Sequence, residues 1–306
     1  MSLRGVASVL VDAANQLRGP ALSLEDGARA PLIAAMCREP KLVLLVTAAG
    51  NEAQAMSESL TTWGVRTLIF PSWETLPHER LSPSSETVAN RIATLRALRT
   101  WNGIESLVVI ASVRAALQPL AADLADRPLL TISVGERRDL LEVSRTLVEL
   151  GYQRVDLVSR RGEVALRGGI LDVFPPLAAH PVRVDFFGDD IDEIREFAVS
   201  DQRSLGQVKS VEITPVREIA LTAAVRAKAR KLADTIPALR SLAEPIAEGI
   251  GVIGMESLLP VLVDEVVPLM DYFPETSTVI VVGPDRVRAR AESLRITNQE
   301  FLAAAW

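Results

Sequence analysis

Four apolar runs of strand length, none of them alternating with polar residues, constrain this chain more than any other feature. Residues 41–47 (KLVLLVT), 65–71 (VRTLIFP), 106–111 (SLVVIA) and 278–282 (TVIVV) are short, rich in β-branched residues and bounded by turn formers, which reads as buried strands. Helix-like segments separate them, at 49–64 after the first run and 85–98 before the third, and a helix is expected from Asp285 to the end. Strands buried on both faces and alternating with helices form a parallel, doubly wound sheet. The fourth run returns only after a long stretch of different texture, so residues 208–306 are expected to complete the α/β domain that residues 1–128 begin. Further helices are expected at 4–16 and 28–38.

The intervening stretch, residues 129–207, has the texture of an all-β insert. Residues 128–134 and a helix at 137–150 lead into 151–176 (GYQRVDLVSRRGEVALRGGILDVFPP), where Arg154, Arg160, Arg161 and Arg167 meet only Asp156, Glu163 and Asp172. A cluster of cations is out of character in a chain whose formal net charge is -6. VDLV, EVAL and ILDVF alternate with a period of two, and the glycines of RRG and RGG punctuate them, predicting short antiparallel strands with exposed arginines at the turns. The hairpin texture continues to Phe197, with a tight turn at Gly188-Asp189. Beyond it come a strand at 211–215 (VEITP), an amphipathic helix at 221–236 with Arg226, Lys228, Arg230 and Lys231 on its polar side, and an apolar segment at 255–269.

Composition excludes several classes. With 306 residues, 48% of them hydrophobic, the chain can build about two domains with real cores. Arg4 and Asp12 interrupt the one candidate secretory segment at 3–14, and no apolar run reaches the roughly 20 residues of a membrane-spanning helix; the expected location is the cytoplasm. The single cysteine, Cys37, excludes an internal disulfide, and with His78 and His180 it cannot make a zinc cluster. Its setting in PLIAAMC reads as core.

Three candidate catalytic motifs fail on context. After the first apolar run, where a phosphate-binding loop would belong, the sequence is Thr47-Ala48-Ala49-Gly50-Asn51-Glu52; it lacks the lysine, the paired glycines and the Lys-Ser/Thr pair that cradle phosphates and magnesium. Gly249-Ile250-Gly251-Val252-Ile253-Gly254 matches G-x-G-x-x-G, with Asp271 downstream, but LAEPIAE before it is no strand, so a loop is expected. Asp264-Glu265 closes LLPVLVDE, where Pro260 argues against a metal-binding strand end. His78 beside Glu79 has no nucleophile or ligand set with it. Pro71, Pro77 and Pro83 fix the long loop around Trp73. No cofactor, metal or catalytic residue is expected.

The segments FPSWETLPHER (70–80), SPSSETVANRIATLRAL (82–98) and RRGEVALRGGILDVFPP (160–176), followed by PVRVDFFGDDIDEIREFAVSDQRSL (181–205), occur in an order that closely resembles the N-terminal region of the bacterial transcription-repair coupling factors (Mfd), and more distantly the excision-repair protein UvrB. EGIGVIGMESLLPVL and EFLAAAW resemble the actinobacterial form. The resemblance implies a P-loop-NTPase-like α/β domain, degenerate at 47–52, that is split by an inserted β-rich domain, with bounds 1–128, 129–207 and 208–306. It implies that the insert docks UvrA, that the chain is a non-catalytic module of transcription-coupled excision repair, and that the RNA-polymerase-binding domain and motor of the longer family members lie outside these residues.

Carried onto this sequence, the arginine of the R-G turn is Arg167 and its apolar partner is Phe174. The family arginine that follows a G-Y pair falls at Gln153, with Arg154 one place later; in a strand that shift turns the side chain to the opposite face. Arg161 completes the implied UvrA-facing set. Arginine forks and aromatics are the side chains enriched at interface hot spots; equally, each arginine reads as a solvated cation and Phe174 as core. Clustered arginines also suit DNA phosphates, but the chain is acidic and Asp185, Asp189, Asp190, Asp192 and Glu193 stand nearby. A nucleotide hydrolase using Asp264, Glu265 and the turn at Gly50 is the rival reading.

Overall fold

The computed structural model describes residues 23–75 and 81–305, with side chains to residue 300. The helix expected at 4–16, the segment 3–14, and His78 and Glu79 lie outside the described residues. The chain divides into two compact units, one formed by Met1–Ser72, Thr94–Gln118 and Pro268–Trp306, the other by Trp73–Ala93 and Pro119–Val267. No described helix is long and apolar enough to cross a membrane, and among the described residues no group of His, Cys, Asp and Glu is placed to hold a metal ion.

The four apolar runs are the four strands of a parallel sheet in the first unit. Strands β1 (Leu42–Thr47), β2 (Arg66–Phe70) and β3 (Leu107–Ser112) are joined by Thr278–Val281, in the order Thr278–Val281, β1, β3, β2. The central strands β1 and β3 are buried along their whole length, while the edge strands alternate or are partly exposed. Val43, Leu45, Val108 and Ile110 pack on Ala53 and Leu60 of the helix Gly50–Thr62. Cys37 caps the helix Asp26–Met36 and touches this core from its margin rather than lying within it; burial pushes its thiol above the ordinary pKa. At the turn after β1, the buried Thr47 hydroxyl donates to the Ala49 carbonyl at 2.9 Å. Glu52 lies in the first helical turn and pairs with Arg286 at 2.8 Å.

The second unit is built on strands β4 (Leu120–Ala121), β5 (Leu130–Ser133), β6 (Gln153–Arg154), β7 (Glu163–Arg167), β8 (Ile170–Val173), β9 (Val182–Phe187), β10 (Asp190–Phe197), β11 (Ser204–Gln207), β12 (Ser210–Ile213) and β13 (Val266–Val267). Six of them form one sheet, β11-β10-β9-β8-β7-β6; β5 pairs with β12 and β4 with β13 as two-stranded ribbons. One face of the six-stranded sheet, including Val164, Leu171, Val173, Val184 and Ile194, packs against Val143 and Leu147 of the helix Leu140–Glu149. VDLV departs from the expectation of a strand. Only Gln153–Arg154 pairs, and it runs parallel to β7, because residues 155–162 loop back over the sheet and bury Val158 beside Ala165 and Phe174.

Residues 208–267 belong to this same compact unit. Two buried carboxylates hold them there. Glu218, fully buried, accepts hydrogen bonds from the Trp73 indole (2.8 Å) and from Nε of the equally buried Arg91 (2.6 Å). Glu256 accepts from Arg217 (3.0 Å) and from the Ser82 hydroxyl (2.5 Å), which itself accepts from the Gly254 amide (2.9 Å). The G-x-G-x-x-G hexapeptide is a loop after the helix Arg240–Ala247, with Gly249 and Gly254 in the left-handed region; no strand delivers it. Asp264 pairs with Lys228 at 2.8 Å. Arg226 and Arg230, expected on a solvated helix face, instead donate to the Ala247 carbonyl that ends the neighbouring helix.

Removing one partner of a buried ion pair leaves the other charge uncompensated, which costs about 3–5 kcal/mol. Glu218→Ala is therefore expected to destabilise the second unit by about that amount in a urea titration, and a loss within about 0.5 kcal/mol, as for ordinary surface changes, would contradict this account.

Candidate partner-docking site

The second face of the six-stranded sheet carries a row of charges beside a small apolar cluster of Val158, Ala165, Phe174 and Phe197. Side chains directly opposite one another on neighbouring strands share a face, and the register Ala165↔Asp172↔Arg183↔Arg195↔Gln207 runs straight across it. Asp172 is fully buried. Arg183 holds it with two bonds, Nε to Oδ1 at 2.7 Å and Nη2 to Oδ2 at 2.9 Å, while its guanidinium stacks 4.7 Å from the Phe197 ring. The small Ala165 opposite Asp172 leaves room for Arg167, two residues further along β7, to reach back diagonally to Oδ2 at 2.6 Å. Farther across, Arg195 pairs with Asp185 and with Glu193 (3.1 Å), and Gln207 donates to Glu193. The Asp172 hydrogen bonds raise the Arg183 pKa above its already high ordinary value.

The turn that follows Arg167 is built for close approach. Gly168 has φ +60°, and a Cβ on Gly169 would stand 2.8 Å from the Phe186 carbonyl oxygen. This brings the tip of the β7–β8 hairpin against β9, beside Phe187. Phe187 alternates onto the charged face with Arg183 and Asp185, and at 81% exposure it is the most exposed large apolar side chain among the described residues.

The five residues singled out from sequence do not form one patch. The register Gln153↔Glu163, Arg154↔Val164 puts Gln153 on the face of Ala165 and Arg167, and Arg154 on the opposite one; both are exposed. Arg161 is committed within the molecule, donating to the Pro176 carbonyl (2.8 Å) and the Ala178 carbonyl (3.0 Å), and it lies 4.9 Å over the Phe174 ring. Phe174 is only 5% exposed and packs with Val158, Ala165 and Phe197; it is core, because the returning loop 155–162 covers it. Arg161 and Phe174 lie at the start of β7, and Arg167 at its end, about 15 Å away at the rise of an extended strand. Arg167 is half-exposed, but its inner side is taken up by Asp172.

Asp172, Arg183 and Phe187 were missed because each depends on pairing. Their signal was present as alternation: Arg183, Asp185 and Phe187 occupy every second position of β9. With three cations and three anions, the row carries no net charge, which is unlike a phosphate-tracking surface.

The sequence pattern of the UvrB interaction domain family matches residues 130–218, a span that contains the whole six-stranded sheet. Over 295 residues the chain is 44% identical to the transcription-repair-coupling factor of Mycobacterium tuberculosis, covering 91% of this chain and 24% of that protein. The corresponding protein of Myxococcus xanthus is 35% identical over 233 residues, 72% of this chain and 19% of its own length, and that of Bacillus subtilis 28% identical over 302 residues, 91% and 25%. The chain is a homologue of the transcription-repair-coupling factors, and its residues 130–218 match the UvrB interaction domain family. It spans about a quarter of the length of these relatives.

Within the UvrB interaction domain, the two aromatics should separate in stability measurements. Phe174→Ala is expected to cost about 3–5 kcal/mol as a core truncation, while Phe187→Ala should stay within about 0.5 kcal/mol of the parent. Denaturant titrations of both variants check this, and equal losses would contradict the assignment of faces.

Proposed function

We propose that this chain is a non-catalytic docking module of transcription-coupled nucleotide excision repair, and that its UvrB interaction domain recruits UvrA through the open charged face of the sheet. The observation that carries the reading is the grouping of Arg167, Arg183 and the bare Phe187 ring on that face, inside the matched domain. An exposed aromatic next to partly ordered arginines is the composition of an interface hot spot. Phe187 takes the apolar role expected of Phe174, whose ring is covered; Gln153 stands on the docking face, and Arg154 and Arg161 support it only from outside or from within the fold.

The division into residues 1–128, 129–207 and 208–306 is kept as a functional one, with the middle segment as the docking element. The α/β unit is read as a P-loop-NTPase-like sheet that has lost its nucleotide chemistry. Supporting this, the helix after β1 begins with Gly50 and presents the Glu52 carboxylate in its first turn, paired with Arg286, where a triphosphate would need cations. RNA polymerase and DNA are expected to meet other parts of the longer relatives.

Arg167→Ala and Phe187→Ala are each expected to weaken binding of cognate UvrA by about 2 kcal/mol or more, roughly thirtyfold, in calorimetric titration. Lys231→Ala, on an exposed helix position, should bind like the parent. Equal losses in all three would point to diffuse electrostatics, and no loss at Arg167 or Phe187 would remove this face from the interface. Millimolar ATP with magnesium should leave the melting temperature unchanged and release no phosphate; a rise in melting temperature or turnover would favour the nucleotide-hydrolase reading.

A further inference from the structure

The charges on the docking face form a ladder of alternating sign: Arg167, Asp172, Arg183, Asp185, Arg195, Glu193. Its inner cations each have a carboxylate on two sides. Arg195 pairs with both Asp185 and Glu193, and Arg183 is clamped to Asp172 while feeling Asp185 as well. Arg167 is the terminal cation and, among the described residues, pairs with Asp172 alone. A guanidinium has five N–H donors, and Asp172 takes one of them, so the others are left for a group outside the chain. Arg167 thus ends the ladder with one carboxylate neighbour where Arg183 and Arg195 each have two.

Asp172 itself has no exposure, whereas the Arg167 side chain is 48% exposed. The bond between them is therefore rooted in the sheet and presented at its surface. Arg183 alone already satisfies both Asp172 oxygens, at 2.7 and 2.9 Å, so the Arg167 contact is not needed to keep the carboxylate paired. What that contact does is fix the direction of a long, flexible side chain. A flexible arginine has to be ordered on binding, at an entropic cost that a held one has already met.

We propose that Asp172 is a positioning residue for docking: it holds Arg167 so that the free edge of its guanidinium closes on a carboxylate of the partner, giving a continuous Arg183–Asp172–Arg167–carboxylate chain across the interface. The proposal rests on the docking reading above and specifies the chemistry it requires, an acidic side chain on UvrA opposite Arg167. Charge-assisted, planar pairing is what distinguishes arginine from lysine in this role. An arginine can bond Asp172 with one nitrogen and the partner with another in one fixed plane, whereas a lysine offers both carboxylates the same compact ammonium without that planar, two-nitrogen geometry.

The test is a double-mutant cycle read as affinity for cognate UvrA, with parent chain, Asp172→Asn, Arg167→Ala and the double variant, and thermal melts on each. Asp172→Asn is expected to bind about tenfold more weakly than the parent, and to have an effect of less than about twofold once Arg167 is alanine, because contacting groups in one network are non-additive. Arg167→Lys, a half-exposed change that does not depend on Asp172→Asn folding, is expected to lose about tenfold although it keeps the charge. Parent-like affinity of Asp172→Asn with weak binding of Arg167→Ala would overturn the positioning role and leave the docking reading standing. Losses that multiply in the double variant would show that Asp172 affects binding independently of Arg167 and overturn the positioning role, and parent-like binding of Arg167→Lys would overturn the bridging geometry. Parent-like binding of every variant would instead defeat the docking reading on which the proposal rests.

Discussion

A carboxylate with no access to water has to be surrounded by donors, and Asp172 meets that demand with the two-bond clamp of Arg183, to which Arg167 adds a third bond from the surface. Isolated in an apolar interior such a charge would be very unfavourable, so its surroundings cannot be an ordinary core. Everything on that face follows. Ala165 is small because Arg167 must pass it, and Phe197 lies flat under Arg183. The opposite face of the same strands has no such demand and is filled with Val and Leu side chains packed on a helix. One sheet thus separates a stabilising face from an ordered polar one that remains open at Arg167 and Phe187.

The same device, a buried acid gathering donors from distant segments, recurs behind the sheet. Glu218 collects Trp73 and Arg91, and Glu256 collects Arg217 and Ser82. Residues 217 and 218 point their charges in different directions, so one short segment fastens the proline-rich loop and helix of 73–93 and the loop before Met255. Such pairs add little net stability compared with apolar packing, but breaking one is costly. They fix the segments around residues 73–93 and 217–256 to one another.

The sequence made the parallel sheet legible because its two central strands are buried on both sides and all four appear as apolar runs, a signal that needs no partner to be recognised. The glycine turn after Arg167 was legible for a similar reason, since only the local backbone decides it. Phe174 and Phe187 were not distinguishable by such means. Phe187 ends β9, Phe174 directly follows β8, and both lie on the face of the charged row; what differs is that the loop 155–162 returns over Phe174, while Phe187 borders a tight turn and is 81% exposed. That return also explains VDLV, whose alternation suits a strand but whose Val158 is buried by tertiary contact instead. The pairing of Arg167 with Asp172 was hidden because it depends on the β7–β8 register, and the clamp from Arg183 on β8–β9.

The central claim is that UvrA covers the charged face of the sheet and not the arginine-rich turn at 160–162 or the loop after β1. Hydrogen–deuterium exchange of the chain with and without cognate UvrA tests it most directly, because it reports every segment in one experiment. New protection is predicted at the tip of the β7–β8 hairpin around Gly168, at the end of β9 around Phe187, and along β10 near Glu193, with residues 47–52 unchanged. Protection confined to 153–162 or to 47–52, with the β7–β8 tip and Phe187 exchanging as in the free chain, would contradict it.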